Sequence, residues 1–298
     1  MTRSRVPVLG VLLAGDRSYP SFTAFCEAIQ DLGYRSGETI HIEARFAEGR
    51  LEQLPRLAAD LARLGVDVIA VIGAVTYWAA RDAAPDLPII FAIVLDPVAA
   101  RIVVSAQSPG GLTTGCTNFD PGQIVEQVRL LKRAAPGRRR LAVLGDAGVP
   151  DTLPRLAKAA AEAAGLDVVT HLLSGEDDVA PAFAKFAAAN AGALLCLEVP
   201  RTTTYGARIV QLAIAARLPA IFGRDHARYG PLMAYGTSLA IAARQMASQV
   251  DMVLRGADAG RIPVEYVSKP ELIINLDAAR QMALTLPDDL LRSAHQLC

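Results

Sequence analysis

The residues of this 298-residue chain whose types suit binding or catalysis gather in short loops that follow apolar runs. Ala14-Gly15-Asp16-Arg17-Ser18-Tyr19-Pro20 follows the first run, and Ile72-Gly73-Ala74-Val75-Thr76-Tyr77 follows the third. Leu95-Asp96-Pro97-Val98 and Thr117-Asn118-Phe119-Asp120 come next. The second half offers Gly145-Asp146-Ala147, Glu198-Val199-Pro200-Arg201 and Phe222-Gly223-Arg224-Asp225. Asp16, Asp146 and Asp225 have the chemistry to hold a ligand ammonium, and equally that of solvated caps. Arg17 and Arg224 can clamp a carboxylate through two parallel N–H groups, although most loop arginines face solvent. Gly73–Thr76 opens a helix whose free N–H groups favour an anion such as a carboxylate. The same residues also read as an ordinary strand-to-helix turn with Thr76 as N-cap. Tyr19, Tyr77 and Trp78 offer rings for stacking, with Trp78, inside a helix, expected in the core.

Other chemistries find less support. No G-x-G-x-x-G follows the first apolar run, and no G-x-x-x-x-G-K-[ST] occurs anywhere, which disfavours dehydrogenases and NTPases. There is no G-x-S-x-G elbow or kinase signature set, and no local motif unites Ser, His and Asp. Cys26, Cys116, Cys196 and Cys298 lie far apart without C-x-x-C, as buried thiols do, and Cys26 is expected in the core of the first helix. His41, His171, His226 and His295 do not cluster at metal-ligand spacing, so neither metal nor cofactor is expected. One enzymatic reading stays open. Cys116 and Cys196, one per half, resemble the acid–base pair of cofactor-independent amino-acid racemases. Against it, Cys196 lies mid-strand among leucines, where a thiol is buried and inert.

The elements that must position these loops follow from the pattern. Strands are expected at Val6–Ala14, Thr39–Phe46, Val66–Ile72, Ile89–Ile93 and Thr113–Thr117. Helices at Ser21–Gly33, Leu51–Leu64 and Thr76–Ala83 alternate with them, the first two ending on glycine caps at Gly33 and Gly65. The order then repeats: helix Gly122–Ala134, strand Arg140–Gly145, helix Thr152–Ala164, strand Leu166–Leu173, helix Asp177–Ala189 and strand Ala193–Leu197. Helix Thr203–Ala216 and short strands Ala220–Phe222 and Pro231–Tyr235 complete the second set. Helix Ser238–Leu254, strands Val264–Val267 and Leu272–Asn275, and a helical tail from Asp277 follow. This is an α/β pattern with parallel, doubly wound sheets in two similar lobes. The chain is expected to cross between lobes near Asn118–Pro121, Tyr235–Ser238 and Lys269–Asn275, making a multi-crossing hinge rather than a flexible tether. Lobe 1 is then 1–119 plus about 237–270, and lobe 2 is 120–236 plus about 271–298. In such sheets ligands sit beyond the carboxyl ends of the strands.

Composition narrows the partners. Thirty Lys and Arg balance thirty Asp and Glu, so the basic excess of a nucleic-acid binder is missing, and Arg138-Arg139-Arg140 is too short a run to change that. Mean hydropathy is +0.30, but the most apolar stretches, Val66–Val75 and Ala191–Leu197, have the length of buried strands. Met1–Arg5 passes straight into the first apolar run, so either a leader has been removed or the chain stays in the cytoplasm.

Ordered motifs then bring a family into view. They include Phe25-Cys26-Glu27-Ala28-Ile29-Gln30-Asp31-Leu32-Gly33-Tyr34, Gly37-Glu38-Thr39-Ile40-His41-Ile42-Glu43 and Ala47-Glu48-Gly49-Arg50. Pro88-Ile89-Ile90-Phe91-Ala92 with Asp96-Pro97-Val98, Pro109-Gly110-Gly111, Met233-Ala234-Tyr235-Gly236 and Glu271-Leu272-Ile273-Ile274-Asn275-Leu276 continue in order. Almost end to end, the sequence resembles ABC transporter substrate-binding proteins of the tryptophan/tyrosine-binding type. The resemblance implies a periplasmic-binding-protein type I fold, two Rossmann-like lobes closing on a small molecule in an interlobe cleft. It implies a non-enzymatic receptor for an amino acid, aromatic or other small carboxylate, delivered to ABC permease subunits by a monomer in the periplasm. The matching strand-end loops point to Gly15, Asp16, Ser18, Tyr19, Gly73, Ala74, Thr76, Asp96, Asn118, Asp146, Glu198 and Asp225 as ligand-binding residues. Asp16-Arg17 replaces the family's usual Ser/Pro-rich stretch, and Arg201 and Arg224 add charge, leaving room for a more anionic solute. The runner-up readings are the racemase and a cytoplasmic small-molecule sensor domain.

Overall fold

Short Val, Ile and Leu runs are too brief for helices and fold as buried strands, while the Ala-rich amphipathic segments between them cover the sheet faces. The computed structural model describes residues 5–94, 96–118 and 120–298. Leu95 and Phe119, which fall within two of the expected ligand loops and, for Phe119, at the expected end of the first lobe segment, lie outside the described residues.

From the N-terminus come β1 (Val8–Leu13), α1 (Pro20–Asp31), β2 (His41–Phe46), α2 (Leu54–Arg63), β3 (Val68–Ile72), α3 (Ala74–Ala83), β4 (Ile89–Ala92) and β5 (Thr113–Thr117). Next are α4 (Pro121–Ala134), β6 (Arg140–Asp146), α5 (Thr152–Ala163), β7 (Asp167–Leu173), α6 (Val179–Ala188), β8 (Ala193–Cys196), α7 (Pro200–Thr204), α8 (Gly206–Ala215) and β9 (Ala220–Phe222). The chain ends with β10 (Met233–Thr237), α9 (Leu239–Leu254), β11 (Glu265–Tyr266), β12 (Pro270–Ile274), α10 (Leu276–Gln281), α11 (Asp288–Arg292) and β13 (Gln296–Leu297).

These elements form two units, Met1–Phe119 with Leu239–Ser268, and Asp120–Ser238 with Lys269–Cys298. The first unit holds a parallel sheet in the order β11-β5-β4-β3-β1-β2. The second holds β13-β12-β10-β9-β8-β6-β7, parallel except for the antiparallel pair β10–β12. Both sheets reverse direction of winding beside their first strand, between β1 and β3 and between β6 and β8. At such a switch point the two flanking loops diverge and leave a crevice at the carboxyl edge.

Strand alternation divides the core. In β6, Leu141 and Val143 join Val128, Leu131 and Leu290 on one face, whereas Ala142 and Leu144 join Phe186, Ile209 and Phe222 on the other. In the first unit, Leu9, Val11 and Leu13 pack with Phe25 and Ile29 of α1 and with Met246 and Val250 of α9. Tyr34 Oη donates to Asp251 at 2.9 Å and Arg244 bridges to Glu27 at 2.7 Å, fastening α9 over α1.

Three expectations are corrected. The helix expected at Thr203–Ala216 is two helices, because Pro200 starts α7 early and Tyr205 ends it outside α-helical geometry (φ −95°, ψ 14°). The tail from Asp277 is not wholly helical; it returns to the sheet as β13 beside β12. Cys26 sits at the fringe of the core and is only partly buried.

Candidate functional site

In the first unit the loops after β1, β3, β4 and β5 line one continuous sheet edge, since these four strands are neighbours. Asp16 Oδ1 accepts from Ser18 N at 2.7 Å and Ser18 Oγ at 2.6 Å, a local turn that holds the β1 loop in shape. The Tyr19 ring lies against the Gly15 backbone. Arg17 stands over the Phe46 ring at 5.7 Å. Beside this loop, Gly73 takes φ +87° as the residue preceding α3, a left-handed turn that glycine makes without a Cβ penalty. Gly73, not Thr76, is therefore the N-cap. Thr76 is one turn in, and its hydroxyl donates back to Ile72 O at 2.5 Å. Ala74 opens the helix with its N–H free of any i−4 partner within it. Asp96 accepts from Val98 N and Ala99 N at 3.0 and 2.9 Å, closing the turn after β4. Asn118 is buried just beyond β5.

The aromatic candidates divide. Tyr77 is buried, with Oη 3.0 Å from Thr113 Oγ1 and Arg81 beside its ring, so it braces α3 against the sheet. Trp78, expected in the core, is 40% exposed because α3 turns that face outward. Tyr19 is left as the aromatic ring at the switch-point loop.

In the second unit Asp146, Glu198 and Asp225 end or follow β6, β8 and β9, again adjacent strands. The Asp146 carboxylate is fully buried and occupied within the unit. It accepts from Gly148 N at 2.8 Å and Arg201 N at 2.9 Å and pairs with the Arg201 guanidinium, tying the β6 loop to the start of α7. Arg224 donates twice to Glu271, at 2.8 and 3.0 Å, and lies 3.5 Å from Asp225. Arg201 and Arg224, two of the three arginines that suggested an anionic solute, are thus each neutralised by a carboxylate of their own unit, whereas Arg17 lies over the Phe46 ring.

Glu198 differs. Its carboxyl lies over the backbone of Gly223, where an added Cβ would come within 2.3 Å of Cδ, so only glycine allows this approach. Its Oε1 is buried without a hydrogen-bond partner and faces His226 Nδ1 at 3.5 Å. Among the described residues, the buried side-chain polar atoms lacking a partner are Ser21 Oγ, His171 Nε2, Glu198 Oε1, Thr203 Oγ1, Thr204 Oγ1, His226 Nδ1 and Gln249 Oε1. Of these, His171 Nε2 does face Asp178 Oδ1, at 3.0 Å. Apart from Gln249, the others all belong to segments following β1, β8 and β9, the carboxyl edges of the two sheets. Buried polar atoms are ordinarily satisfied, so this concentration sets the strand-end segments apart from the rest of the described residues.

Ser21, Thr203, Thr204 and His226 were not among the residues expected from sequence, and Gly223 was named only as part of its loop. A signal existed: a histidine directly after Asp225, and a run of threonines directly after Glu198-Val199-Pro200-Arg201, both in strand-end loops.

The cysteine pair has no comparable setting. Cys116 and Cys196 are fully buried in the cores of their separate units, and burial pushes both thiols far up, so each is a neutral thiol without solvent access. Cys116 also donates to Ala242 O at 3.1 Å. Among the described residues no group of His, Cys, Asp and Glu is arranged to hold a metal, and no helix is long and apolar enough to cross a membrane.

Comparison with known proteins adds to this geometry. The model of a family described as ABC transporter substrate binding protein matches residues 6–298. A curated relative, a tyrosine-binding protein of Clostridioides difficile (strain R20291), is 25% identical over 87% of this chain and 75% of its own length. A conserved domain protein from Vibrio cholerae superposes with a TM-score of 0.91 at 22% identity, over 99% of this chain and 100% of that one. A Streptococcus pneumonia ABC domain crystallised with L-Trp gives 0.88 at 22% identity, again over 99% and 100%.

Proposed function

Since the chain belongs to the ABC transporter substrate binding protein family, a solute-binding family, we propose that its solute is an amino acid. The observation that carries this reading is Glu198, a carboxylate at the switch point of the second unit that no arginine neutralises, with hydroxyls of Thr203 and Thr204 unpartnered nearby in sequence. The oxygen of that carboxyl turned away from His226 keeps acceptor capacity for the N–H groups of an ammonium. The N–H groups opening α3 at Gly73 and Ala74, and the buried Ser21 hydroxyl near the start of α1, suit a carboxylate. Tyr19 supplies a ring for an apolar or aromatic side chain. The relatives that are named for tyrosine or hold L-Trp support the same class.

The remaining expected site residues take supporting parts in this reading. Asp16, Asp96 and Asp146 hold their loops in shape, Gly15 makes room for Tyr19, and Asn118 and Asp225 border the edge. We take the protein to be a receptor rather than an enzyme, acting outside the cytoplasmic membrane as a monomer that delivers its solute to ABC permease subunits.

Thermal unfolding against a panel of amino acids, keto acids and sugars tests the proposal. A solute that binds only the folded chain, at a hundred times its Kd, adds about 2.7 kcal/mol of stability. Concentration-dependent shifts with amino acids, recovered unchanged, are expected. Shifts confined to solutes lacking an amine, or recovery of an inverted amino acid, would refute it.

A further inference from the structure

His226 is buried between two acceptors. Its Nε2 lies 3.2 Å from Thr202 O, and a carbonyl only accepts, so Nε2 carries a hydrogen. A neutral imidazole then leaves Nδ1 bare, facing Glu198 Oε1 at 3.5 Å. An ionised carboxylate is likewise acceptor-only. Two lone-pair-bearing atoms, both buried and both without another partner, would repel across that gap. A single proton removes the conflict in either of two placements. On nitrogen it makes an imidazolium–carboxylate pair; on oxygen it makes a carboxylic acid donating to Nδ1.

We infer that Glu198 and His226 share one proton, and that this proton fixes the Glu198 carboxyl over Gly223. Among the described residues, Nδ1 has no hydrogen-bond donor. Phe222 and Tyr229 pack on the ring at 5.5 and 6.2 Å. Arg228 lies over the Tyr229 ring and donates to its hydroxyl. Cys196, in the strand that leads to Glu198, is a neutral buried thiol bonded toward Thr202. On the flanking segments Arg224 is paired with Glu271 and Asp225, and Arg201 with Asp146. His226 is thereby a positioning residue for Glu198. That Glu198 meets the solute rests on the function proposed above; the shared proton does not.

The test uses the unliganded full chain. Histidine labelled with 15N and glutamate labelled with 13C at the carboxyl are observed by NMR at neutral pH, with His226→Gln and Glu198→Gln assigning the signals. Either a protonated Nδ1 or a protonated Glu198 carboxyl is the expected result. A bare Nδ1 together with an ionised Glu198 in the same sample would overturn the inference. The readout uses no solute, so failure to find an amino-acid ligand and failure of this inference are separate results.

Discussion

Gly223→Ala separates binding from folding at the second unit's sheet edge. The Gly223 backbone, at φ −59° and ψ 153°, lies in a region open to alanine, so the substitution carries no backbone strain. The new Cβ would fall 2.3 Å from Glu198 Cδ and 2.5 Å from each carboxylate oxygen, roughly 1 Å inside ordinary contact. The obstacle is the far end of a flexible side chain, which can swing aside. Stability should therefore change by no more than about 1 kcal/mol, because the reduced entropy of the unfolded chain partly offsets lost packing. Binding should change much more. A hydrogen bond to a charged group contributes about 1.5–3 kcal/mol, so displacing the Glu198 carboxylate should raise Kd about 10- to 150-fold. Calorimetric titration of both proteins with the amino acid that gives the largest thermal shift, alongside unfolding by circular dichroism, checks this. A Kd within about threefold of wild type at unchanged stability would refute the assignment of Glu198 to the solute.

Other substitutions and conditions follow from the same geometry. Asp146→Ala leaves the nearly buried Arg201 guanidinium without its carboxylate, and chemical denaturation should show a loss of about 3–5 kcal/mol. A maleimide should label exposed Cys298 readily in the native protein, whereas Cys116 and Cys196 should react only on unfolding; native labelling of either, read by peptide mass, would revive an enzymatic role for the thiols. At Asp178, burial pushes the carboxyl up, but hydrogen bonds from Ser174 and His171 outweigh it and hold the group below its ordinary range. Its contribution to stability is thus present above the unfolded carboxylate range and lost as pH falls through the lower folded value, so Asp178→Asn should flatten the acid limb of an unfolding-versus-pH curve.

The strands and helices were legible because their signals are local. Val8–Leu13 and Val68–Ile72 are uninterrupted apolar runs, and the Ala-rich helices between them have buried faces at helical spacing. The family motifs extended that reading across the chain. Within the site, the strand-end loops could be named in advance, but not what each side chain does there. Asp146 and Arg201 are 55 positions apart, and Arg224 and Glu271 are 47 apart, so the neutralisation of both arginines appears only once the strands are laid side by side. Glu198 was singled out as a loop carboxylate, while His226, 28 positions later, joins it only because β8 and β9 are neighbours. Trp78 and Thr76 misled for the opposite reason. A helix was expected correctly, but its phase and its first residue depend on where Gly73 turns the chain.

The way the two units divide the sequence bears on how the protein is made. The first unit's sheet is nearly finished once residue 117 is synthesised, yet α9, which covers Phe25, Ile29 and the inner faces of β3 to β5, begins only at Leu239. Until then Val68, Ile72 and Ile90 on that face lack the helix that covers them, although every strand that carries them has left the ribosome. The second unit, lying between, must likewise wait for β12, α10 and α11, which complete its own edge and core. Neither unit can therefore close vectorially ahead of the chain's last sixty or so residues, as an uninterrupted N-terminal domain would. The distant pairings impose slow loop closure on both units and a long exposure of apolar surface to chaperones.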